Sequence, residues 1–599
     1  MKPKKKIWLV IFILCIAILV YLHYIDQRGS QGEVASRAVA SLQIEPGAEV
    51  LLDLRDDVTS GQVRELGRRY GLKLRLNSRY SLAERLYRSV ARLSAADVDR
   101  LRHEPAVELV EADQMFSIPP LETAVALPSS SPDGAKKTFP NDPKYKFQWH
   151  LDQIQMPAAW PRATGKGVIV AVIDTGVAYR DLGSTFKRVP DLDRTEFVPG
   201  YDFVNDREEA LDDHGHGTHV AGTIAQSTNN GVGVAGVAYR ARIMPLKVLS
   251  SRGFGSVADI ADAIRFAADH GAKVINMSLG GSRSSAIMAK AVTYAHKKGV
   301  TIVCAAGNDG RGKVGFPAAY PESIAVAATQ FDRSTTFYSN WGKEIDVAAP
   351  GGNTRVDQNN DGMPDGVLQN TIAIGKPDQN DYLLFMGTSM ASPHVAGVAA
   401  LVIESGVTRP DAVERVLKAT AQHPGGQSWD PHFGAGIVDA GAAVRRSTTS
   451  RGLWTLGLSG LLGLGLVLRL RGRGQLALRP GVGSVVGLVL GSSGLFFIPW
   501  LGWLGGALPG WDVSLLGVAT PVAHSVLLPL LLTVVLWSVG RLRGLVFGLA
   551  LGFAGHLLLS LGLGSVDVAW IPNVMALDGL WLGLNAVLCL GLANILARR

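Results

Sequence analysis

The sequence predicts three regions of different fold class: a small α+β unit, a larger α/β domain with a mostly parallel sheet, and an all-α region. Strand and helix patterns follow each other as β-α-β-β-α-β over residues 45–118. Short apolar strands alternate with helices over residues 141–446, which is typical of a largely parallel sheet. Five apolar blocks follow Arg446. A chain of 599 residues is far too long for a single hydrophobic core, so several domains are expected.

The chain begins with a lysine-rich segment and an apolar run from Ile7 to Tyr24, which is long enough to span a bilayer. A cleaved signal peptide has a shorter apolar core that ends at a small-residue site, and the nearest such pattern, Ala38 to Ala40, lies well beyond the run. We therefore expect residues 1–25 to form an uncleaved signal anchor, with the following chain outside the cytoplasm. A cleaved signal peptide is the alternative.

Residues 45–118 alternate between strand patterns and capped helical patterns, and the last pattern, residues 106–118, is expected to be one strand. The order predicts a split βαβ, ferredoxin-like unit. Residues 119–140 are rich in proline, serine and lysine, which predicts an exposed linker. Exposed linkers are preferred sites of proteolysis.

The carboxyl-terminal region, residues 453–597, is predicted to be a membrane bundle of about five helices. Apolar residues make up 47% of the chain and charged residues only 18%, which is unusual for a soluble protein. Arginines between the blocks predict that the ends near Arg469, Arg541 and Arg598 lie in the cytosol. The apolar blocks are roughly residues 453–468, 481–503, 513–538, 544–563 and 574–596.

The net charge of +8 does not predict a nucleic-acid partner, because basic residues are concentrated beside the apolar runs and the rest of the chain is net acidic. This distribution is a membrane topology signal, so the lipid bilayer is the expected partner. The chain has three cysteines, and Cys15 and Cys589 lie within apolar runs, which argues against a disulfide framework.

Three separated segments carry residues suited to nucleophilic catalysis. Asp174 ends the buried strand of GVIVAVIDTGV, His216 lies in LDDHGHGTHVAGT, and Ser389 begins a small-residue helix in FMGTSMASPHVAGVAALVIES. Residues at the carboxyl ends of strands and at helix N-termini converge on one crevice of an open α/β sheet. A serine becomes nucleophilic when a neutral imidazole takes its proton, and a buried carboxylate holds that imidazole in the right tautomer.

Each segment also has a simpler explanation when it is taken alone. Asp174 could be an ordinary strand-ending aspartate, and the tripeptide DTG also occurs in aspartic proteases. His214, His216 and His219 could approach one metal ion only in a loop, and a zinc site would need further ligands.

VIDTGV, HGTHVAGT and GTSMASPHVAG, in this order, resemble the three signature segments of the subtilases, the subtilisin-like serine proteases, over about residues 141–446. The resemblance implies a three-layer α/β fold and hydrolysis of polypeptide substrates through an acyl-enzyme, with no cofactor for catalysis. It implies that Asp174 orients the base, His216 is the general base and Ser389 is the nucleophile. The segment CAAGNDG resembles the oxyanion loop of the family, with Asn308 as the donor.

The same resemblance implies two edges that bind an extended peptide by strand addition. RGFGS and NMSLGG resemble these edges, and GFPAAYP resembles the floor of the primary pocket, where the absence of charge predicts an apolar preference. The implied substrate-binding residues are Gly253, Phe254, Gly255, Ser278, Leu279, Gly280 and Ala318.

The unit of residues 45–118, with its segment AVELVEAD, resembles the inhibitory propeptide of the family. This implies an intramolecular inhibitor that is cut away in the linker, roughly between Ile118 and Pro140. The mature enzyme would then lose the N-terminal anchor and keep only the C-terminal spans.

Two loops raise the question of calcium. Residues 357–366 place oxygen ligands as in an EF-hand loop, but Leu368 stands where a bidentate glutamate is expected, so a polar loop is an equal alternative. Asn230 lies in TNNGVGVAG, which resembles the loop of the strong calcium site of the family. A polar loop without calcium is again an equal alternative. The candidate ligands are Asp357, Asn359, Asp361, Asp365 and Asn230.

These patterns predict a membrane-attached serine endopeptidase with its catalytic domain outside the cytoplasm. The alternative from another class is that the C-terminal bundle is a transporter or sensor, with the protease as its regulatory module. A catalytically dead binding domain is disfavoured, because Asp174, His216, Asn308 and Ser389 are all present.

Overall fold

The computed structural model describes residues 49–90, 93–118, 125–126, 139–492, 526–536, 539–563 and 575–598. These residues divide into two compact units, one within residues 32–404 and 409–443, the other within residues 405–408 and from 444 to the C-terminus. The predicted N-terminal anchor, residues 1–25, lies outside the described residues.

Residues 49–117 form the predicted β-α-β-β-α-β unit, with one difference. Its antiparallel sheet has the order β2-β3-β1-β4, and helix α1 begins with a capping box at Thr59. The last predicted strand is two strands, because the chain leaves its own sheet after Ala112 and pairs elsewhere as β5. The elements are β1 Glu49–Leu54, α1 Ser60–Tyr70, β2 Arg75–Leu76, β3 Leu86–Val90, α2 Ala95–Arg102, β4 Val107–Ala112 and β5 Met115–Ser117.

The larger domain is built on a parallel sheet with the order β15-β14-β13-β12-β7-β10-β8, and β9 also pairs with β10. Its central strands are short and almost fully buried, as the apolar pattern predicts. The strands are β7 Ile169–Asp174, β8 Glu196–Phe197, β9 Tyr201–Asp202, β10 Arg242–Lys247, β11 Phe254–Ser256, β12 Val274–Met277, β13 Thr301–Ala305, β14 Ser323–Thr329 and β15 Ile345–Pro350.

Helices pack against this sheet, and α8 is buried over nearly its whole length, so it forms the centre of the core. Its small residues allow close packing on the strands. The helices of the domain are α3 Trp149–Gln153, α4 Met156–Ala159, α5 His216–Ala225, α6 Val257–Asp269, α7 Ala286–Lys297, α8 Thr388–Glu404 and α9 Pro410–Thr420.

A three-stranded antiparallel sheet precedes α8 and includes part of the predicted linker. Strands β16 Val367–Ala373 and β17 Lys376–Phe385 form a hairpin. Strand β6 Val125–Ala126 pairs with the outer edge of β17, opposite Leu383 and Leu384. The linker is therefore not irregular throughout, and this long-range pairing has no signal in its local sequence.

Among its described residues the C-terminal unit is helical, and three of the helices there are long and apolar enough to cross a membrane. The second and third predicted apolar blocks, residues 481–503 and 513–538, lie partly outside the described residues. Helices α11 and α13 approach to backbone contact: a Cβ added to Gly487 would lie 1.9 Å from the Leu545 carbonyl oxygen, and one added to Gly548 would lie 2.0 Å from that of Ser484. The helices are α10 Ala440–Gly472, α11 Val482–Ser492, α12 Leu527–Leu536, α13 Arg543–Leu563 and α14 Met575–Ala597.

Candidate active site

Asp174 ends β7, which lies in the middle of the parallel sheet between β12 and β10. Its side chain is fully buried, and its Oδ1 accepts the backbone N–H of Thr175 at 2.7 Å. The carboxyl ends of parallel strands share one edge of the sheet, so Asp174 faces the crevice where ligands bind in such folds.

His216 is the first residue of α5 and lies against Asp174, with 2.8 Å between its Nδ1 and Asp174 Oδ1. Because Nδ1 donates to the carboxylate, Nε2 keeps its lone pair and can act as a base. The approach of α5 to β7 requires glycine at position 217, since a Cβ there would lie 2.2 Å from the Gly176 carbonyl oxygen. Both side chains are shielded from water, with His216 only 1% exposed.

Asp212, which sequence reasoning left without a role, fixes the turn that carries His216. Its buried carboxylate accepts the backbone N–H groups of His214, Gly215 and Thr218 at 2.9–3.0 Å. The hydroxyls of Thr218 and Thr175 donate to it at 2.6 and 2.9 Å. An aspartate just before a helix start is a capping signal that could have identified this role.

Asp213 forms an ion pair with Lys247, whose Nζ lies 2.6 Å from Asp213 Oδ1. Lys247 is buried beside Asp174 in the register of β10 and β7, and its ammonium also donates to the carbonyl oxygens of Thr175 and Leu249. The lysine therefore ties the end of β7 to the turn before His216, and its charge is fully hydrogen-bonded.

The other two histidines of the motif have separate surroundings. His219 is buried, bonds through Nε2 to the Val367 carbonyl oxygen at 3.0 Å, and stacks on Phe385. Burial lowers the pKa of His219 to about 3. The His214 ring lies 6.4 Å from that of His216, and burial followed by the charge of His216 lowers its pKa. Within the described part of the chain, no three histidine, cysteine or acidic side chains form a metal cluster.

Ser389 lies in the first turn of α8, 3% exposed, and its Oγ donates to the Ser278 carbonyl oxygen at 3.1 Å. The Ser278 hydroxyl donates in turn to the Ser389 carbonyl oxygen at 2.8 Å. These two bonds join the start of α8 to the segment that follows β12. Ser389 therefore lies at the edge that was predicted to bind peptide.

Two N–H donors meet beside Ser389. Asn308 Oδ1 accepts from the backbone N–H and the hydroxyl of Thr388, at 2.9 and 2.6 Å, so its Nδ2 points the other way. A Cβ added to Gly387 would lie 2.9 Å from Asn308 Nδ2 and 3.6 Å from the Ser389 backbone nitrogen. The N–H of Ser389 has no acceptor within its own helix, because it belongs to the first turn. Both donors lie on the side of Gly387 where a Cβ would stand, and such a pair of N–H groups can bind a negatively charged oxygen.

The predicted peptide-binding edges are paired with the tail of residues 45–118. Strand β5 pairs antiparallel with β11, which includes Phe254 and Gly255. Ser117 and Gly280 exchange two backbone hydrogen bonds, at 3.1 and 2.9 Å, and the N–H of Ile118 donates to the Gly253 carbonyl oxygen at 3.1 Å. The tail is therefore a strand between the two edges, as an extended substrate would be.

The remaining predicted pocket residues lie next to this strand. Leu279 and Ala318 are buried, each 1% exposed. Gly281 and Phe316 exchange two backbone hydrogen bonds at 2.9 Å, which brings the segment before Ala318 alongside the Gly280 edge. Phe116 of the tail is also buried, and its ring would lie 2.9 Å from a Cβ added to Gly281.

Carboxylates of the small unit bond to the starts of two helices of the larger domain, which sequence reasoning did not predict. Glu111 accepts the N–H groups of Ala286 and Ile287 at the start of α7, and it also bonds to the Ser285 hydroxyl. Asp113 accepts from the Ser256 hydroxyl at 2.7 Å, at the start of α6. Carboxylates are stabilised at such helix N-termini, although burial still raises the pKa of Glu111.

Asn230 lies between two buried carboxylates, Asp142 and Asp191, that sequence reasoning missed. Its backbone N–H donates to Asp142 at 3.1 Å and its side chain contacts Asp191 at 3.0 Å. Burial raises the pKa of Asp142 to about 6 and that of Asp191 to about 8. In the described residues the two carboxylates accept N–H groups of Asn229, Asn230 and Val234, and no basic side chain is among these hydrogen-bond partners.

The loop of residues 357–366 has a different geometry. Asp357 and Asn359 accept backbone N–H groups of the loop itself at 2.9–3.2 Å, and Asp361 accepts that of Met363. Asp365 is buried and accepts from Gln358. The side chains of Asp357, Asp361 and Asp365 do not gather as a metal cluster. The geometry favours the polar-loop alternative.

Comparison with known proteins identifies the domains. Residues 165–436 match the Peptidase S8 family, described as the subtilase family. Thermitase of Thermoactinomyces vulgaris is 37% identical over 307 residues, which are 51% of this chain and 99% of that protein. An extracellular protease of Xanthomonas campestris is 37% identical over 430 residues, 62% of this chain and 66% of that protein. The crystal structure of fervidolysin, a keratinolytic enzyme related to subtilisin from Fervidobacterium pennivorans, is 26% identical with a TM-score of 0.52, over 66% of this chain and 61% of that chain.

Residues 465–599 match a second family, a domain of unknown function named DUF5942. The C-terminal helices therefore correspond to a recognised domain of their own.

Proposed function

Because the chain belongs to the subtilase family of serine endopeptidases, we propose that it is a membrane-attached proenzyme whose peptidase domain lies outside the cytoplasm. Two observations support the proposal: His216 is paired with Asp174, and Ser389 lies beside Ser278 and next to Thr388, which bonds to Asn308, at the edge occupied by the tail of residues 45–118. The substrate class is polypeptide, bound as an extended strand between the edges at Gly253 and Gly280.

In the proposed mechanism His216 is the general base. Its Nε2 takes the proton of the Ser389 hydroxyl while Oγ forms a bond to the scissile carbonyl carbon. The imidazole becomes positively charged, and the buried carboxylate of Asp174, 2.8 Å from Nδ1, stabilises that charge and fixes the tautomer. Asp212 contributes indirectly, because it holds the turn from which His216 projects.

The former carbonyl oxygen carries negative charge in the tetrahedral intermediate. Asn308 Nδ2 and the N–H of Ser389 are placed to donate to it beside Gly387. Collapse breaks the C–N bond as His216 gives its proton to the leaving amine. His216 then deprotonates a water molecule, whose oxygen forms a bond to the acyl carbon. The ester bond to Ser389 Oγ breaks as His216 returns the proton to that oxygen.

We propose that residues 45–118 are an inhibitory propeptide and that the chain is cut in the linker between Ile118 and Pro140. Two observations support this. The tail pairs with the predicted peptide-binding edges as a strand, and Glu111 and Asp113 bond to the starts of two helices of the peptidase domain. The propeptide would thus be an intramolecular inhibitor until it is released.

Membrane attachment through the C-terminal helices is supported by their length and by the arrangement of their ends. The Arg543 guanidinium donates to the carbonyl oxygens of Leu596 and Arg598, and the N–H of Ala477 donates to that of Ala597. The basic segments near Arg471, Arg543 and Arg598 therefore share one end of the bundle. Basic residues at one end are expected on the cytosolic side.

We propose that calcium binds at Asn230 together with Asp142 and Asp191. The two buried carboxylates, whose described hydrogen-bond partners include no basic side chain, fit such an ion, which takes oxygen ligands. Its contribution would be to stability and not to the chemistry of hydrolysis. Titration with calcium after chelation should raise the melting temperature of the full chain, and Asp191→Asn should abolish the increase. An equal increase in the variant would reject this site.

The proposed activity is tested by replacing Ser389 with alanine in the full chain. Hydrolysis of peptide substrates should fall by about 10⁶-fold, and cutting of the linker should stop. The control is Ser405→Ala, a serine outside the described site. Retained hydrolysis in the Ser389 variant would reject the assignment.

The proposed location is tested with a membrane-impermeant thiol reagent on intact cells. Gln427→Cys, exposed on the peptidase domain, should be labelled, whereas Gln475→Cys, exposed between α10 and α11, should not. The native Cys304 and Cys589 are buried and serve as an internal background. Labelling of position 475 but not 427 would reverse the orientation.

The alternative, a C-terminal transporter or sensor regulated by the protease, is favoured only by the separate family match of residues 465–599. Deletion after Arg446 distinguishes the two functions. Unchanged hydrolysis of membrane-associated targets would make the bundle an anchor, whereas a loss confined to those targets would give it a functional role.

A further inference from the structure

The basic rim is a group of five arginines at one end of the C-terminal bundle: Arg471, Arg473, Arg479, Arg543 and Arg598. They lie in the last turn of α10, in the segment that joins α10 to α11, at the start of α13 and just after α14. The joining segment crosses the end of α14, because the N–H groups of Ala477 and Leu478 donate to the Ala597 carbonyl oxygen at 3.1 and 3.4 Å. Residues distant in sequence therefore meet at this end.

Packing fixes the side of the bundle end on which these arginines stand. Over residues 475–479 exposed and half-buried side chains alternate. The half-buried Leu476 and Leu478 pack against the apolar cluster of α10, α13 and α14, whereas Arg479 is exposed. Arg543 donates to two carbonyl oxygens at the end of α14, each at 2.8 Å, so the start of α13 and the end of α14 are held together. The basic rim is thus a surface with a defined backbone.

The charge of the basic rim is not balanced by nearby carboxylates of the chain. The sequence contains no aspartate or glutamate in residues 440–511, 513–566 and 579–599. All members of the rim except the half-buried Arg543 are exposed. Like charges that are held close together repel each other, so binding of anions lowers the free energy of this surface.

The type of basic residue indicates which anion fits. Lysine and arginine serve equally well to orient a membrane protein, and the N-terminal segment of this chain uses lysine. After Ala440, by contrast, the sequence contains arginine and no lysine. The planar guanidinium group donates two parallel N–H bonds to the oxygens of a phosphate, which an ammonium group cannot do. Arginines at the end of a membrane bundle lie at the level of the phosphates of lipid headgroups.

We propose that the basic rim binds the phosphate groups of anionic phospholipids at the cytosolic surface of the membrane. The C-terminal bundle is then a unit that selects its lipid, in addition to holding the chain in the bilayer. The inference rests on the proposed membrane attachment and adds a ligand to it. An arginine near an anionic lipid surface raises affinity about fivefold, so the three exposed arginines around the segment between α10 and α11 raise it by up to about 100-fold.

The test uses the full chain with the substitution S389A, so that it stays uncut, in a neutral detergent. Native mass spectrometry measures Kd for the first bound phosphatidylglycerol and for phosphatidylcholine with the same acyl chains. The chain with an intact rim should bind the anionic lipid more tightly by about 10- to 100-fold. The variant R471Q/R473Q/R479Q, in which three exposed charges are removed, should bind the two lipids almost equally.

The matched control is R445Q/R446Q, because these two exposed arginines lie near the opposite end of α10, about 39 Å from Arg471 at the rise of a helix. The control should keep the full preference for phosphatidylglycerol. An unchanged preference in the rim variant, or an equal loss in the control, would overturn the inference.

Two further measurements separate the possible causes. Inorganic phosphate, compared with chloride at equal ionic strength, should not displace phosphatidylglycerol, and displacement would overturn the inference in favour of a site for free phosphate. Alkaline carbonate extraction tests the proposed attachment itself. Release of the unaltered chain from membranes would reject that attachment, whereas retention of every variant together with equal lipid preferences would reject only the lipid site.

Discussion

The catalytic centre and the C-terminal bundle pack by opposite means. In the centre, buried charged groups are fixed by many hydrogen bonds, as with Asp212 and Lys247. In the bundle, α11 and α13 approach through glycines until backbone meets backbone. The packing of the first region therefore depends on particular side-chain atoms, whereas the packing of α11 against α13 depends on residues that have no side chain.

After the loss expected for Ser389→Ala, the largest expected effect follows from Asp174→Asn, which keeps the size of the side chain but not its charge. The amide cannot hold the His216 tautomer, so kcat should fall by about 10⁴-fold. Peptide hydrolysis measures kcat, and the melting temperature of the full chain shows that folding is preserved. A fall of less than about tenfold would contradict the role given to Asp174.

The next effect concerns the donor Asn308. Asn308→Ala removes one of the two donors to the oxyanion, so kcat should fall by about 10²- to 10³-fold with KM nearly unchanged. Steady-state kinetics with one peptide substrate separates the two constants. A change carried by KM alone would instead assign Asn308 to substrate binding.

The stability of the bundle should fall when side-chain volume is added at the contact between α11 and α13. Gly548→Leu would place carbon where Ser484 backbone oxygen lies, so it should destabilise the bundle by about 1–3 kcal/mol. The matched control is Gly591→Leu, because a Cβ at Gly591 has no neighbour within 4 Å among the residues that the structure describes. Thermal aggregation of the full chain in detergent measures the difference.

Peptide hydrolysis by the same two variants shows whether packing in the bundle affects the peptidase activity. Both should hydrolyse a soluble peptide as wild type does, since the glycines lie outside the compact unit that contains Ser389. If Gly548→Leu reduced hydrolysis as much as aggregation temperature, the two regions would not be independent.

A further effect, which develops gradually with pH, is on acid stability. Burial lowers the pKa of His150 well below its ordinary value, that of His394 to about 4 and that of His219 to about 3. The unfolded chain binds protons at these groups near pH 6.5, and the folded chain does not, so stability falls as pH falls from about 6.5 towards 4. The expected slope is about 1.4 kcal/mol per pH unit for each group.

This slope is measured by the resistance of the S389A chain to added protease in urea. Saturating calcium limits the opposite titration of Asp142 and Asp191. Burial also raises the pKa of Asp259 to about 7 and that of Asp365 to about 6, and these carboxylates titrate in the same opposite direction. The contribution of the histidines is therefore the difference in slope between the S389A chain and the S389A chain that also carries His219→Gln and His394→Gln. His103→Gln is the control, because His103 is exposed in the unit of residues 45–118. Equal slopes between pH 6.5 and 4.5 with and without the two buried histidines would contradict them as the source.

Sequence alone predicted the parts of the molecule in which chemistry restricts the residue type. Asp174, His216 and Ser389 stand in signature segments, and the alternating strands predicted the parallel sheet. Long-range pairing was beyond such reasoning. The division of the last predicted strand of residues 45–118 into β4 and β5, and the pairing of β6 with β17, depend on partners far along the chain.

The polar partners of the site were also missed where they are distant in sequence. Asp142 and Asp191 flank Asn230 only after folding, and neither lies in a recognisable motif. Glu111 and Asp113 look like ordinary strand-end carboxylates until the starts of α7 and α6 reach them. In the bundle, hydropathy predicted the helices. It did not predict how α11 and α13 align, which depends on the close contacts that their glycines make with the facing backbone.

The central claim is a nucleophilic Ser389 that the propeptide tail withholds from substrate. It is tested most directly by a fluorophosphonate probe on the full chain before and after processing, with the labelled residue identified by peptide mass spectrometry. We expect an adduct on Ser389 of the processed enzyme, little adduct on the uncut chain, and none in the Asp174→Asn variant within the same time. Labelling of another residue, or equally fast labelling of the uncut chain, would contradict it.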